Sequence, residues 1–257
     1  MKAPILTIAT LSAIFLGLAS TPAHAAESQT LWSIGKPDDA NTELALAPKG
    51  HKDFKEDGFF VVGRSDAAQD WPYAHPGPGD SWAGARQHTF SILFGLESAV
   101  AGQPCVLSLR LLDTHSSGPP RMRVVINGKS FEHSTPAGGG DESIFGDVSK
   151  GRKHVWNLKF DSGLLRAGDN DVSITLISGS WVLYDSVSLE APASLQLKPT
   201  ASGTRLLGLS VPPVWLKGDG KPLQPLTLTL RHIGGDLDAS LNLDGVETSK
   251  LTLKNGV

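Results

Sequence analysis

Residues 164–190 read Leu-Leu-Arg-Ala-Gly-Asp-Asn-Asp-Val-Ser-Ile-Thr-Leu-Ile-Ser-Gly-Ser-Trp-Val-Leu-Tyr-Asp-Ser-Val-Ser-Leu-Glu. Val172, Ile174 and Leu176 alternate with Ser173 and Thr175, and Val182, Tyr184, Val187 and Leu189 mark a second apolar run. Alternation with a period of two puts one set of side chains on a buried face. Ser178-Gly179-Ser180 between the runs is a short turn cluster, so the stretch predicts two strands of one sheet joined as a closing hairpin. Gly168-Asp169-Asn170 supplies the turn that leads in.

The same signature extends upstream. Thr30–Gly35, Phe59–Gly63, His88–Phe94, Val106–Leu112, Met122–Ile126, Lys129–His133 and His154–Phe160 each read as a short strand, and Asn127-Gly128 is a hairpin turn. With 28 Gly, 17 Pro and little helical periodicity, the composition is all-β, and strands at this spacing predict a jelly-roll-type β-sandwich. Residues 36–58 read as polar loop, and residues 66–86, rich in Pro, Gly and Trp, as an ordered loop. Gly138-Gly139-Gly140 lacks the Gly-Lys-Ser/Thr of a phosphate-binding loop and reads as a flexible connection.

Pro192 opens a second unit. Leu195–Pro199, Thr204–Val211, Leu226–Arg231, Ala239–Leu243 and Lys250–Leu253 are strand candidates, with turns at Gly218-Asp219-Gly220 and Asn242-Leu243-Asp244-Gly245. An immunoglobulin domain needs about 7 strands, so residues 193–257 predict an incomplete immunoglobulin-like β-sandwich after a jelly-roll domain over 26–192.

At the start, Lys2, the apolar run Ile5–Leu18 and Ala23-His24-Ala25 form a signal-peptide pattern over residues 1–25, too short for a membrane span. The expectation is a secreted or periplasmic monomer with no membrane partner after cleavage. Cys105 is the single cysteine of the 257 residues, so no internal disulfide forms. A net charge of −3 without a basic run argues against nucleic acid as partner.

Residues 31–190 resemble the C-terminal carbohydrate-binding-module-like domain of rhamnogalacturonan lyases of polysaccharide lyase family four. The marks are Leu31-Trp32-Ser33-Ile34-Gly35, Phe60-Val61-Val62-Gly63-Arg64-Ser65, Asp70-Trp71-Pro72, Trp82, Val124-Val125-Ile126-Asn127-Gly128, Leu165-Arg166-Ala167-Gly168-Asp169-Asn170 and Tyr184-Asp185-Ser186-Val187. The resemblance implies a jelly roll and an association with pectin or other plant-type polysaccharide. It carries over no catalytic residue, because the family's catalytic machinery lies in a large N-terminal domain with no counterpart here. Two readings stay open: a secreted non-catalytic carbohydrate-binding module, or the N-terminal fragment of a polysaccharide-degrading enzyme, lyase or glycoside hydrolase, whose catalytic region is missing. A serine-esterase reading of Gly79-Asp80-Ser81 fails, since no Asp-x-x-His pair follows Gly168.

The candidate binding residues are Asp70, Trp71, Tyr73, Trp82 and Arg86. Flat C–H faces of sugars stack on Trp and Tyr, while carboxylate and guanidinium groups, Asp80 among them, bind hydroxyls. The competing reading folds the aromatic rings inward to plug the loop against the sandwich. Trp32, Trp156 and Trp181 lie in strand patterns and read as core. The histidines share no ligand spacing such as His-x-x-x-His. Jelly-roll carbohydrate modules often hold a structural Ca2+ beside the final strand; Asp185 and Glu43 are the candidate ligands here, with Asp185 capping a backbone turn as the alternative.

Overall fold

The structure, a computed structural model, describes residues 27–243 and 246–255. The signal-peptide pattern and the Asp244-Gly245 turn lie outside the described residues.

The first part of the chain runs β1 (Ser28–Gly35), β2 (Phe59–Val61), α1 (Ala67–Asp70), β3 (Ala74–His75), β4 (Thr89–Leu96), β5 (Pro104–Thr114), β6 (Arg121–Ile126), β7 (Lys129–Ser134), β8 (His154–Asp161), β9 (Gly168–Ser178), β10 (Val182–Pro192) and β11 (Leu197–Lys198). One sheet has the order β1-β10-β5-β8, and the other runs β11-β4-β9-β6-β7. Counting the eight long strands in chain order, the sheets read 1-8-3-6 and 2-7-4-5, the interleaved order of a jelly roll. Short β3 pairs with the start of β10, on the side that β1 takes further along the strand, and β2 runs parallel to β4.

The strand signals at residues 164–190 were right and their pairing was not. β9 lies between β4 and β6 in one sheet, while β10 lies between β1 and β5 in the other. The two strands therefore belong to different sheets, with Gly179 at φ +79° turning the chain between them. Alternation reports only that a strand has one buried face. A hairpin and a crossover between facing sheets produce the same pattern. The Asn127-Gly128 hairpin does form, with β6 and β7 in register and both turn residues at positive φ, 46° and 90°.

Inward side chains of both sheets make one core, among them Ile34, Phe90, Phe94, Leu107, Leu109, Val124, Ile174, Tyr184 and Val187, each essentially inaccessible to solvent. Cys105 is buried with them, and burial pushes its thiol up to about 11. The core does not stop at Pro192: Leu195 is fully buried in it, and β11 pairs with Gly95 and Leu96 of β4. The expected boundary after Pro192 thus falls inside the packed sandwich.

Beyond it lie β12 (Thr204–Ser210), β13 (Leu216–Gly218), β14 (Lys221–Leu223), β15 (Thr227–His232), β16 (Leu237–Leu243) and β17 (Val246–Leu253). Among the described residues they pair as three two-stranded sheets, β12-β15, β13-β14 and β16-β17. Ile233 packs on Phe59 and Val61, and Arg231 Nη2 donates to Asp70 Oδ1 at 2.9 Å. Arg64 Nη2 donates to the Thr200 carbonyl at 2.7 Å.

Candidate functional site

The loops at one end of the sandwich converge on residues 48–54, 77–86, 115–120, 136–152 and 179–181. Asp113, fully buried at the end of β5, organises the longest of them. Its Oδ1 accepts from the backbone N–H groups of Thr114, Gly139 and Arg152, and its Oδ2 from the Ser143 hydroxyl at 2.6 Å. The three consecutive glycines are there for close approach. A Cβ at Gly138 would sit 1.6 Å from the Thr114 carbonyl oxygen, and one at Gly139 2.0 Å from that of Lys150. The loop read as flexible is therefore an ordered one, pinned to the sheet by a carboxylate that backbone donors surround.

This pinning presents Phe145, whose side chain is 57% exposed, more than any other large apolar side chain of residues 27–200. Behind it stands His51, edge-on with ring centroids 5.2 Å apart, and Trp82 lies edge-on to His51 at 5.2 Å. The Tyr73 hydroxyl donates to the Ile144 carbonyl at 2.6 Å, which locks the backbone next to Phe145. That hydroxyl also lies 3.4 Å from His51 Nδ1, from which it can accept. Burial holds His51 below the usual imidazole range, and the Lys52 charge adds to this. The ring is thus neutral at neutral pH and packs behind Phe145, and its sequence neighbours Lys49 and Lys52 are exposed.

The residues expected to bind are only partly here. Trp71 and Tyr73 are fully buried, which corrects the expectation of rings open to a sugar face. Trp71 packs edge-on against Phe90 at 5.2 Å and tilted on Tyr184 at 5.5 Å, because β3 lays this segment along β10 and turns the indole into the core. Asp70 is spent on Arg231 and on the Asp66 backbone N–H at the start of α1. Asp80 is a bracket rather than a hydroxyl binder: it accepts from the Gly77 backbone, the Ser180 hydroxyl and Trp82 Nε1. Arg86 is exposed and donates to Asp57 and to the Gln87 carbonyl. Of the five, Trp82 alone stands in the aromatic group at the apex. Phe145 and His51 were missed, although a lone aromatic in a Gly-rich polar stretch is a readable signal.

Asp185 and Glu43, the candidate calcium ligands, each have hydrogen-bond partners within the protein. Asp185 Oδ2 accepts from Arg110 Nε at 3.2 Å and Oδ1 from the Asp39 backbone N–H at 2.9 Å, while Glu43 accepts from the Lys36 N–H. The Arg110 guanidinium thus answers part of the Asp185 charge. Burial raises the Asp185 carboxyl above the usual range, against the opposing pull of Arg110. Among the described residues no three His, Cys, Asp or Glu side chains cluster with metal-binding geometry.

The chain is a jelly roll whose loop end carries an exposed aromatic ring, Phe145, on a segment pinned by Asp113. The chain belongs to the CBM-like family described as polysaccharide lyase family 4, domain III, whose pattern it matches over residues 30–189. It is 28% identical over 170 residues to the rhamnogalacturonate lyase of Dickeya dadantii (strain 3937), a match covering 62% of this chain and 27% of the relative. The chain thus spans about a quarter of the length of that curated relative. Among solved structures it is similar to a family 35 carbohydrate binding module from an environmental isolate, at 14% identity, TM-score 0.33, and 63% and 97% coverage of the two chains. It is also similar to a CBM35 from Cellvibrio japonicus Abf62, at 12% identity, TM-score 0.33, and 70% and 97% coverage. Strand order, not these superpositions, carries the fold.

Proposed function

We propose that this chain is a carbohydrate-binding module that holds an acidic plant polysaccharide of the pectin type at the apex around Phe145. Family membership supports sugar recognition, and the name of the Dickeya relative supports a pectic polymer. The observation that carries the site is the exposure of Phe145 on a loop fixed by Asp113. A ring held in place stacks on a pyranose C–H face without a large ordering cost. Lys49 and Lys52, exposed on the segment that carries His51, supply charge-assisted hydrogen bonds to uronate carboxylates in this reading. In this reading the chain binds the polymer and does not cleave it. The leader pattern at residues 1–25 supports export to the periplasm or the medium, where such polymers are met.

Affinity electrophoresis through gels containing rhamnogalacturonan, homogalacturonan or xylan tests the reading. The protein should be retarded in the pectic gels, and Phe145→Ala should abolish most of the retardation while leaving the melting temperature unchanged. Equal retardation of Phe145→Ala moves the site elsewhere, and free passage of the unaltered protein through every gel overturns the function.

A further inference from the structure

The jelly roll leaves β7 and β8 as the edge strands of its two sheets on the same side of the sandwich. Across that open side, His133 of β7 and His154 of β8 meet with their Nε2 atoms 2.8 Å apart and their ring planes inclined by only 4°. Trp156, two residues along β8, stacks on His133 at 4.8 Å and fixes that ring. The two histidines are 21 positions apart, so no spacing in the sequence announces them. Both are partly open to solvent, as is Trp156.

Two imidazole nitrogens this close and facing each other share one proton in the metal-free protein, one donating and one accepting. Once that proton moves to the far nitrogen of its ring, the two lone pairs face each other along the N–N line, and tilting both rings turns them toward a common point beside it. Two nitrogens at 2.0–2.1 Å from one cation stand about 2.9 Å apart at a right angle and about 3.3 Å apart at the tetrahedral angle. The observed 2.8 Å lies next to the right-angle value. We propose that His133 and His154 form a two-histidine site for a late first-row divalent cation, with Cu2+ held most tightly and water completing the coordination. Imidazole suits Cu, Ni and Zn, a right-angle arrangement suits Cu2+, and the divalent affinity order peaks at Cu2+. Burial holds both rings below the usual imidazole range, and for His133 the neighbouring His154 adds to this, so both are neutral and able to ligate at neutral pH. The strands fix the two backbones and Trp156 one ring, so binding asks for a tilt of two side chains rather than a rearrangement of the fold.

Calorimetric titration of the full chain with CuCl2 should show one saturable site of higher affinity than that for ZnCl2. His133→Gln and His154→Gln should each weaken it by ~10-fold or more, whereas His115→Gln, outside the pair, should leave it unchanged. Should either variant fold poorly, electron paramagnetic resonance of the unaltered protein with one equivalent of Cu2+ decides alone: nitrogen splitting from two imidazoles is expected. No saturable binding, unchanged affinity in folded variants of both histidines, or a spectrum with fewer than two imidazole nitrogens overturns the site. None of these outcomes depends on polysaccharide binding.

Discussion

Trp71 and Phe145 show how differently two aromatic residues in loops can be used. Trp71 has no solvent exposure and sits against Phe90 and Tyr184, so Trp71→Ala should cost roughly 3–5 kcal/mol of folding stability, read as a shifted urea midpoint. Phe145→Ala, at an exposed position, should change stability by less than about 0.5 kcal/mol. A large loss for Phe145 and none for Trp71 would reverse the two roles. The sequence announced that the 66–86 loop carries aromatics and is ordered. It could not say which way a ring faces, because that depends on β3 pairing with β10, more than a hundred residues away in the chain. His75, on the same short strand, is stacked on Phe90 at 3.8 Å, with Nε2 2.9 Å from the His88 carbonyl and Nδ1 2.9 Å from the Tyr184 hydroxyl. The neutral ring donates to the first and accepts from the second. Burial lowers its pKa from 6.5 to about 3. The unfolded chain therefore takes up a proton here between those values that the folded chain refuses. Stability fully present above pH 6.5 is lost as the pH falls, by up to about 1.4 kcal/mol per pH unit, until the folded pKa is reached. His75→Gln should flatten the fall in urea midpoint between pH 6 and pH 4. An unaltered slope would remove His75 as its source.

At the scale of elements, local signals survived where they are local. The Asn127-Gly128 hairpin needs only its two turn residues and the flanking alternation, and it forms, with Ile126 opposite Lys129. The β9–β10 pairing failed because partner choice in a jelly roll is set by which strands flank each position, and alternation carries no record of that. The Gly-rich loop failed for a related reason. Three glycines signal freedom when nothing approaches them and close packing when something does, and here the Thr114 and Lys150 carbonyls approach. Asp113 is the residue that makes the difference, since it receives three backbone N–H groups and one hydroxyl. Asp113→Asn keeps the volume but replaces one acceptor oxygen by a donor, leaving at least one buried group without a partner at a cost of about 1–3 kcal/mol. It should also loosen residues 138–152 and so weaken polysaccharide retention through Phe145, a residue it does not touch. Hydrogen exchange localised to that loop is the measurement. Unchanged protection there would mean that another contact holds it.

At the scale of the molecule, the sandwich and the segment after it are built to different standards. The sandwich buries continuous faces, whereas residues 204–253 leave Leu206, Leu209, Val214, Trp215, Leu216 and Leu223 at least half exposed. Two-stranded sheets without a covering layer are marginal, so amide exchange should be fast in β12 to β17 and slow in β9 and β10. What ties the segment to the sandwich begins before it. Leu195 is fully buried in the jelly-roll core, the Gln29 side chain donates to its carbonyl at 2.6 Å, and Leu197 and Lys198 extend the β4 edge. A composition break at Ala191-Pro192-Ala193-Ser194 suggests a linker to a reader of sequence, yet the chain only turns there and returns to the sheet. A fragment of residues 27–201 should therefore be more stable to urea than one of residues 27–192. The difference should be roughly 2 kcal/mol, the burial of one leucine with part of a strand ladder. Both fragments lack Ile233, so its packing on Phe59 and Val61 cancels from the comparison. Equal midpoints would show that the sandwich closes at Pro192 and that β11 only rests on its edge.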